Sequence, residues 1–76
     1  MVDNTGGCMK ILRDQIYQAC KDNFKAQIEK HIVNTEVMMS NPVGVAEHPD
    51  VMESIESELT KIAHYHDMLE ALENYL

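Results

Sequence analysis

The stretch PDVMESIESELTKIAHYHDMLEALENYL, residues 49–76, decides the fold because it has the pattern of one long amphipathic helix. Its apolar residues recur at steps of three and then four, the spacing of a single helix face. They are Met52, Ile55, Leu59, Ile62 and Leu69. His66 occupies a position where this pattern expects an apolar residue. The stretch therefore predicts a helix that packs through one face and carries a polar side chain within the contact.

A second helical pattern covers residues 8–40, where apolar residues recur mostly at steps of four. They are Met9, Leu12, Ile16, Cys20, Phe24, Ile28, Ile32 and Met39, and Thr35 belongs to the same series. Because a step of four exceeds the helical period of 3.6, this stripe drifts around the helix. We therefore expect the first helix to contact two neighbours. Residues 1–7, which include Gly6 and Gly7, are expected to form a flexible lead.

The segment SNPVGVAEH, residues 40–48, separates the two helical patterns. Asn41 precedes Pro42 and is therefore disfavoured in helical geometry, while Gly44 permits a turn. Pro49 suits the first position of the next helix, where a backbone N–H is not needed. The sequence thus predicts an all-α antiparallel two-helix hairpin, with helices at about 8–40 and 49–76 and residues 8–76 forming one domain.

Folding the chain back at this segment pairs positions whose residue numbers add to about 89. Met52 then lies near Val37, and His66 lies beside Asn23 and Phe24. A polar pair of His66 and Asn23 inside an apolar contact would fix the register of the helices at some cost in stability. We therefore expect that replacing His66 with leucine stabilises the assembly and loosens its specificity.

Self-association is expected from the length of the chain. A core built from 76 residues is marginal. Cys8 and Cys20 would lie about 18 Å apart on one helix, too far for a disulfide within the chain. The C-terminal half offers a second apolar flank that includes Tyr65, Met68 and Leu72. These features predict an obligate homodimer, in which two hairpins form a four-helix bundle, with a tetramer left open.

The charge is divided unevenly between the two helices. The chain carries a net charge of −7. The first helix has a small positive balance and the second is strongly acidic, which suits antiparallel neighbours. No basic face is visible, so we expect no direct binding to nucleic acid. The sequence shows no signal peptide and no long apolar run, which predicts a cytoplasmic protein without membrane association.

The histidines do not predict a metal centre or a cofactor site. His64 and His66 are two residues apart and would point to different sides of a helix. Neither a repeated Glu-x-x-His pattern nor a His-Glu-x-x-His motif is present. We therefore expect a non-enzymatic interaction or adaptor protein. Two alternatives stay open: a small metal-dependent hydrolase that uses carboxylates and His66, and an acidic inhibitor or nucleic-acid mimic.

The loop end of the hairpin concentrates adaptable apolar residues. Met38, Met39 and Met52 are expected to gather there with Val43 and Val45. Methionine-rich surfaces adapt to several partners, so this end is a candidate contact for another protein. The simpler interpretation is that these side chains close the end of the bundle over the loop.

One stretch carries a resemblance to a known protein type. It consists of NPVGVAEHPD at residues 41–50, followed by Met52-Glu53, Ile55-Glu56, Ile62-Ala63 and Leu69. Residues 41–76 thereby resemble a small helical protein type encoded by T4-like marine phages of cyanobacteria; the N-terminal helix lies outside the likeness. The resemblance implies a phage or marine microbial source, and so the host cytoplasm as location. It implies no activity and no functional residues.

Overall fold

The protein consists of two helices that pack against each other as a hairpin. The computed structural model describes the backbone of residues 5–40 and 50–76 and the side chains of residues 11–40 and 50–76. Helix α1 spans Thr5–Met39 and helix α2 spans Asp50–Tyr75. The described residues contain no strand. The all-α hairpin predicted from the sequence is confirmed, since these two helices pack on each other along their length.

The helix boundaries differ slightly from those predicted. Helix α1 begins at Thr5, three residues before the predicted start at Cys8. It ends with the Ser40 amide bonded to the Glu36 carbonyl at 3.0 Å. Helix α2 begins at Asp50, one residue after Pro49, with acids in its first turn, where they stabilise the helix N-terminus. Residues 1–4 and the connecting residues 41–49 lie outside the described residues.

The contact between the helices, called the seam below, follows a seven-residue repeat on each of the two helices. Every residue at the repeating positions is buried or half-buried. On α1 they are Tyr17, Lys21, Phe24, Ile28, His31, Thr35 and Met38; on α2 they are Val51, Ile55, Glu58, Ile62, Tyr65, Leu69 and Leu72. Such a repeat keeps one helix face turned toward its neighbour, as in a coiled coil.

The register agrees with the pairing predicted from the sequence. The residue numbers of three pairs in contact add to 89: Arg13 with Leu76, Phe24 with Tyr65, and His31 with Glu58. The Arg13 guanidinium donates a 2.7 Å hydrogen bond to the Leu76 carbonyl, which links the two helices at the end opposite the loop. Lys21 and Glu73 add an ion pair of 3.2 Å between the helices, as the uneven charge suggested.

The predicted seam of α2 is wrong at every second position. Ile55, Ile62 and Leu69 do face α1. Met52 and Leu59 are instead exposed, and the preceding residues Val51 and Glu58 take their places. On α1, four of the predicted stripe residues are likewise exposed: Leu12, Ile16, Ile32 and Met39. The four-residue stripe leaves the seam as predicted, because it drifts relative to the seven-residue repeat.

The hairpin is a plate one helix thick. Its principal extents are 63 × 23 × 13 Å, and a helix with its side chains is about 10–12 Å across. Among the described side chains, no large apolar residue is buried. On both broad faces of the plate, the side chains that flank the seam are therefore not covered by another layer. Neither described helix has a segment long and apolar enough to cross a membrane.

Candidate functional site

The buried centre of the seam is polar. His31 on α1 and Glu58 on α2 are 5% and 8% exposed, the lowest values in the described part of the chain together with Thr35. The Nδ1 atom of His31 lies 2.6 Å from Oε1 of Glu58. Since an ionised carboxylate only accepts hydrogen bonds, His31 Nδ1–H is the donor. Bonds of this length to a charged group are among the stronger hydrogen bonds in proteins.

Three further groups complete this polar layer, defined here as His31, Asn34, Thr35, Glu58 and Lys61. The Asn34 amide donates to the same Glu58 oxygen at 3.1 Å, and the Lys61 ammonium lies 3.5 Å from the other oxygen. The Thr35 hydroxyl bonds back to the His31 carbonyl at 2.7 Å. Both carboxylate oxygens thus have donors, which is the condition under which burial of a charge is tolerated.

An aromatic side chain covers one side of the polar layer. The Tyr65 ring stacks on the His31 ring, with centroids 6.2 Å apart and planes at 9°. The Tyr65 ring also packs near that of Phe24, one heptad before His31 on α1, with ring centroids 6.3 Å apart. This packing fixes the orientation of the imidazole, so that its Nδ1 atom stays directed at Glu58. His31 is therefore held by its hydrogen bond to Glu58 and by its stacking on Tyr65.

The surroundings of Glu58 favour its charged form. The hydrogen bond from His31 has the largest influence on the pKa of Glu58, followed by that from Asn34, with a smaller contribution from the charge of Lys61. Burial acts in the opposite direction, but the net effect holds the pKa below its ordinary value. Glu58 therefore enters the seam as a carboxylate, and its charge is part of the contact between the helices.

The polar layer specifies how the helices align. A shift of α2 along α1 by one heptad would remove Glu58 from both His31 and Asn34 and leave the buried carboxylate with Lys61 of its own helix as its one remaining donor. A seam made of apolar residues alone would lose less free energy on the same shift. The polar layer therefore favours one register, as buried polar residues do in coiled coils. A histidine–carboxylate pair of this kind acts as a base only toward a nucleophile or substrate held next to it.

The predicted register pair, His66 with Asn23, is wrong. The His66 side chain is 58% exposed and lies 3.4 Å from Glu70 one turn along α2, on the surface of the plate. Asn23 is exposed as well. Tyr65 takes the seam position expected for His66. One histidine is buried in the seam, as the sequence suggested, but that residue is His31.

A signal for the polar layer was present in the sequence. Phe24, His31 and Met38 are seven residues apart, as are Val51, Glu58 and Tyr65. Read as heptads, these two series place His31 and Glu58 at seam positions that pair in the predicted register. Because Met52 and Leu59 together are more apolar than Val51 and Glu58, the apolar pattern favours the neighbouring line of residues as the seam.

The predicted methionine cluster is only partly described. Met38 is half-buried at the loop end of the seam, whereas Met39 and Met52 are 56% and 55% exposed. Val43 and Val45 lie outside the described residues. Among the described side chains, no three His, Cys, Asp or Glu residues lie close enough together to hold a metal ion.

The charge of Glu58 leads to a pH-dependent stability. A group with a lowered pKa stabilises the fold above its unfolded pKa, about 4.3 for glutamate, and this contribution is lost as the pH falls through the lower folded value. We expect Glu58→Gln to be less stable than the wild type at pH 7, with the difference shrinking below about pH 4. Denaturant unfolding followed by circular dichroism across this range measures the difference.

The matched control for this prediction is Glu56→Gln, which removes the same charge from an exposed position on the same helix. Its stability is expected to stay within about 0.5 kcal/mol of the wild type at neutral pH. A Glu58→Gln difference that is constant from pH 3 to pH 7 would show that the carboxylate charge is not what the polar layer uses.

Comparison with known proteins adds no relative. No protein-family model, curated protein sequence or solved structure matches the chain. The resemblance of residues 41–76 to a phage protein type therefore stays a prediction.

Proposed function

We propose that this chain is a non-enzymatic interaction protein whose working form is a homodimer, in which two hairpins stack into a four-helix bundle. One observation carries the proposal: the hairpin is a plate 13 Å thick that buries no large apolar side chain in its described part. Stable domains contain at least two packed layers around an apolar core. A second copy supplies the missing layer.

The size of the plate supports this assembly. A broad face measuring 63 by 23 Å exceeds the roughly 800 Å² per partner that a standard stable interface buries. Large apolar residues are exposed along the whole plate, from Ile16 near one end to Val37 near the loop. Covering them contributes roughly 25 cal/mol for each Å² of apolar surface removed from water. Stacking two plates thus provides the apolar burial that one plate lacks.

The alternatives to this function make different demands on the acidic residues. A metal-dependent hydrolase requires several acids directed into the bundle, but Glu58 is the one buried acid in the described residues, and His31 and Lys61 already engage it. An acidic mimic requires outward-facing acids, and the surface of the plate offers them, for example Glu29 and Glu70. That reading is compatible with a homodimer whose outer faces stay free.

The proposal is tested by light scattering after size-exclusion chromatography, at several concentrations and with or without a chelator. A mass of about 17 kDa, twice the chain mass of 8.7 kDa, that ignores the chelator is the expected result. A stable monomer at all concentrations would overturn the proposal. A dimer that separates when the chelator is added would overturn it in favour of the metal-dependent alternative.

A further inference from the structure

We propose that the two copies meet through one particular broad face of the plate, with the ends remote from the loop placed together. This inference rests on the proposed homodimer and specifies its interface. The face is defined by Arg13, Cys20 and Gln27 on α1 and by Lys61, Met68 and Tyr75 on α2, and it is called the groove face below. Each set is spaced by seven residues, so each follows one side of the seam.

The groove face is distinguished first by its charge. Three open grooves lie along it, and none of the residues that line them is Asp or Glu, although the chain contains 13 acids. The opposite broad face carries a row of acids on α1, Asp22, Glu29 and Glu36, again seven residues apart. Burial of an unpaired carboxylate is costly, so the acid-free side is the one suited to an interface.

The groove face is also the more apolar side at one end. An apolar groove there measures about 420 Å³, and the residues that line it include Phe24, Met68, Ala71 and Tyr75. A neighbouring groove of about 190 Å³ continues it toward Ile16 and shares Cys20, Leu72 and Leu76. Together they form a continuous apolar depression between the helices, at the end held by the Arg13–Leu76 hydrogen bond.

The position of this depression selects the alignment of the two copies. Toward the loop the groove face becomes polar, and the groove next to the polar layer is lined by Lys30, Lys61 and His64 among others. Reversed stacking would place the apolar depression against polar residues of the second copy. Stacking with the same ends together places apolar against apolar, and a twofold axis along the plate then sets each α1 antiparallel to the α2 of the other copy.

In this arrangement Ile16, which is exposed in the single plate, lies over the depression of the second copy. In the register of the hairpin, where paired residue numbers add to 89, Ile16 lies at the height of residue 73 on α2, next to Leu72 and Tyr75. The exposed alkyl and aromatic side chains of the two copies thus fill each other's grooves. This is the complementarity expected of a self-complementary twofold interface.

Two variants with the same chemical change distinguish the groove face from its opposite. Ala71→Asp places a charge in the depression, and Ala63→Asp places the same charge on the other side of α2. Both alanines are exposed in the single plate, and both lie four residues from Asp67, so the repulsion from that carboxylate is similar in the two variants. We expect Ala71→Asp to weaken the dimer on the order of 100-fold, and Ala63→Asp to change its Kd by less than about threefold.

The outcomes separate this inference from the proposed function. Dissociation by Ala63→Asp with Ala71→Asp still dimeric would overturn the choice of face while the homodimer stands. Equal weakening by both variants would also overturn it, since the two faces would then be equivalent. A wild type that is monomeric at every concentration would overturn the proposed function, and with it this choice of face.

The alignment is tested by a distance between spin labels in the full-length chain. The two native cysteines are replaced by serine, and Val37→Cys provides one exposed label near the loop. Because Cys20 and Val37 lie on the groove side of α1, light scattering first checks that the labelled chain has the mass of the wild type. With the same ends together, the two labels lie at equal height and about 10–25 Å apart across the bundle. Reversed stacking separates them by about 30 Å or more, because Val37 lies roughly ten residues from the middle of the paired helices. The longer distance would overturn the alignment.

Discussion

Replacement of His31 by leucine is expected to lower the thermal unfolding midpoint by on the order of 10 °C. The change removes the closest donor to Glu58 and leaves the carboxylate at 8% exposure with Asn34 and Lys61 alone. Replacing Glu58 by leucine in the same chain is expected to recover most of the loss, since two apolar residues of similar size need no hydrogen bonds. Thermal unfolding of the single and double variants measures the coupling.

The matched control is His66→Leu, the same substitution on the surface of the plate. The ion pair of His66 with Glu70 is exposed, so its loss is expected to change stability by less than about 0.5 kcal/mol. The first prediction fails if His31→Leu is as stable as His66→Leu, or if the double variant is no better than the single one. Either result would mean that the polar layer does not depend on the bond between its two central residues.

Dilution of the wild-type chain below the Kd of the dimer is expected to remove most of its helical signal. The single plate has no buried apolar side chain in its described part, and two long helices without a core do not offset the entropy of ordering the chain. Folding and association are therefore expected to occur in one step, with a midpoint of unfolding that rises with concentration. Circular dichroism at 222 nm in long-path cells, over about three decades of concentration, follows the loss.

One result would contradict this prediction. A mass that halves on dilution while the signal at 222 nm stays constant would show that the hairpin folds alone. A dimer stabilised by cross-linking provides the reference, because its helical signal should not depend on concentration. The cross-link must lie outside the groove face, so that it does not itself alter the contacts proposed for the interface.

The sequence predicts the two helices, the break between them and their register. Asn41-Pro42 and Pro49 bracket the only long break in the helical pattern, and the apolar series on either side fix where the chain folds back. Contacts as distant in sequence as Arg13 with Leu76 therefore fall where the numbering predicts. Long periodic segments with clear breaks between them are the part of a fold that local preferences determine.

The sequence does not predict which of two neighbouring positions faces inward. On α2, Val51, Glu58 and Tyr65 follow one line along the helix, and Met52, Leu59 and His66 follow the adjacent line. Both lines have the same seven-residue period, and the second contains the more apolar residues. Glu58 faces inward because His31 and Asn34 on the other helix provide its donors. A preference that depends on the partner helix is not contained in the pattern of α2 alone.

The acids of the plate also set where the proposed assembly ends. With the groove faces joined, the two outer surfaces each carry the row of Asp22, Glu29 and Glu36. A third plate would have to lay one such row against another, and a pair already has a formal charge of twice −7. If the proposed pair forms, like-charge repulsion is therefore expected to stop growth at a closed pair and to oppose open-ended stacking into fibres.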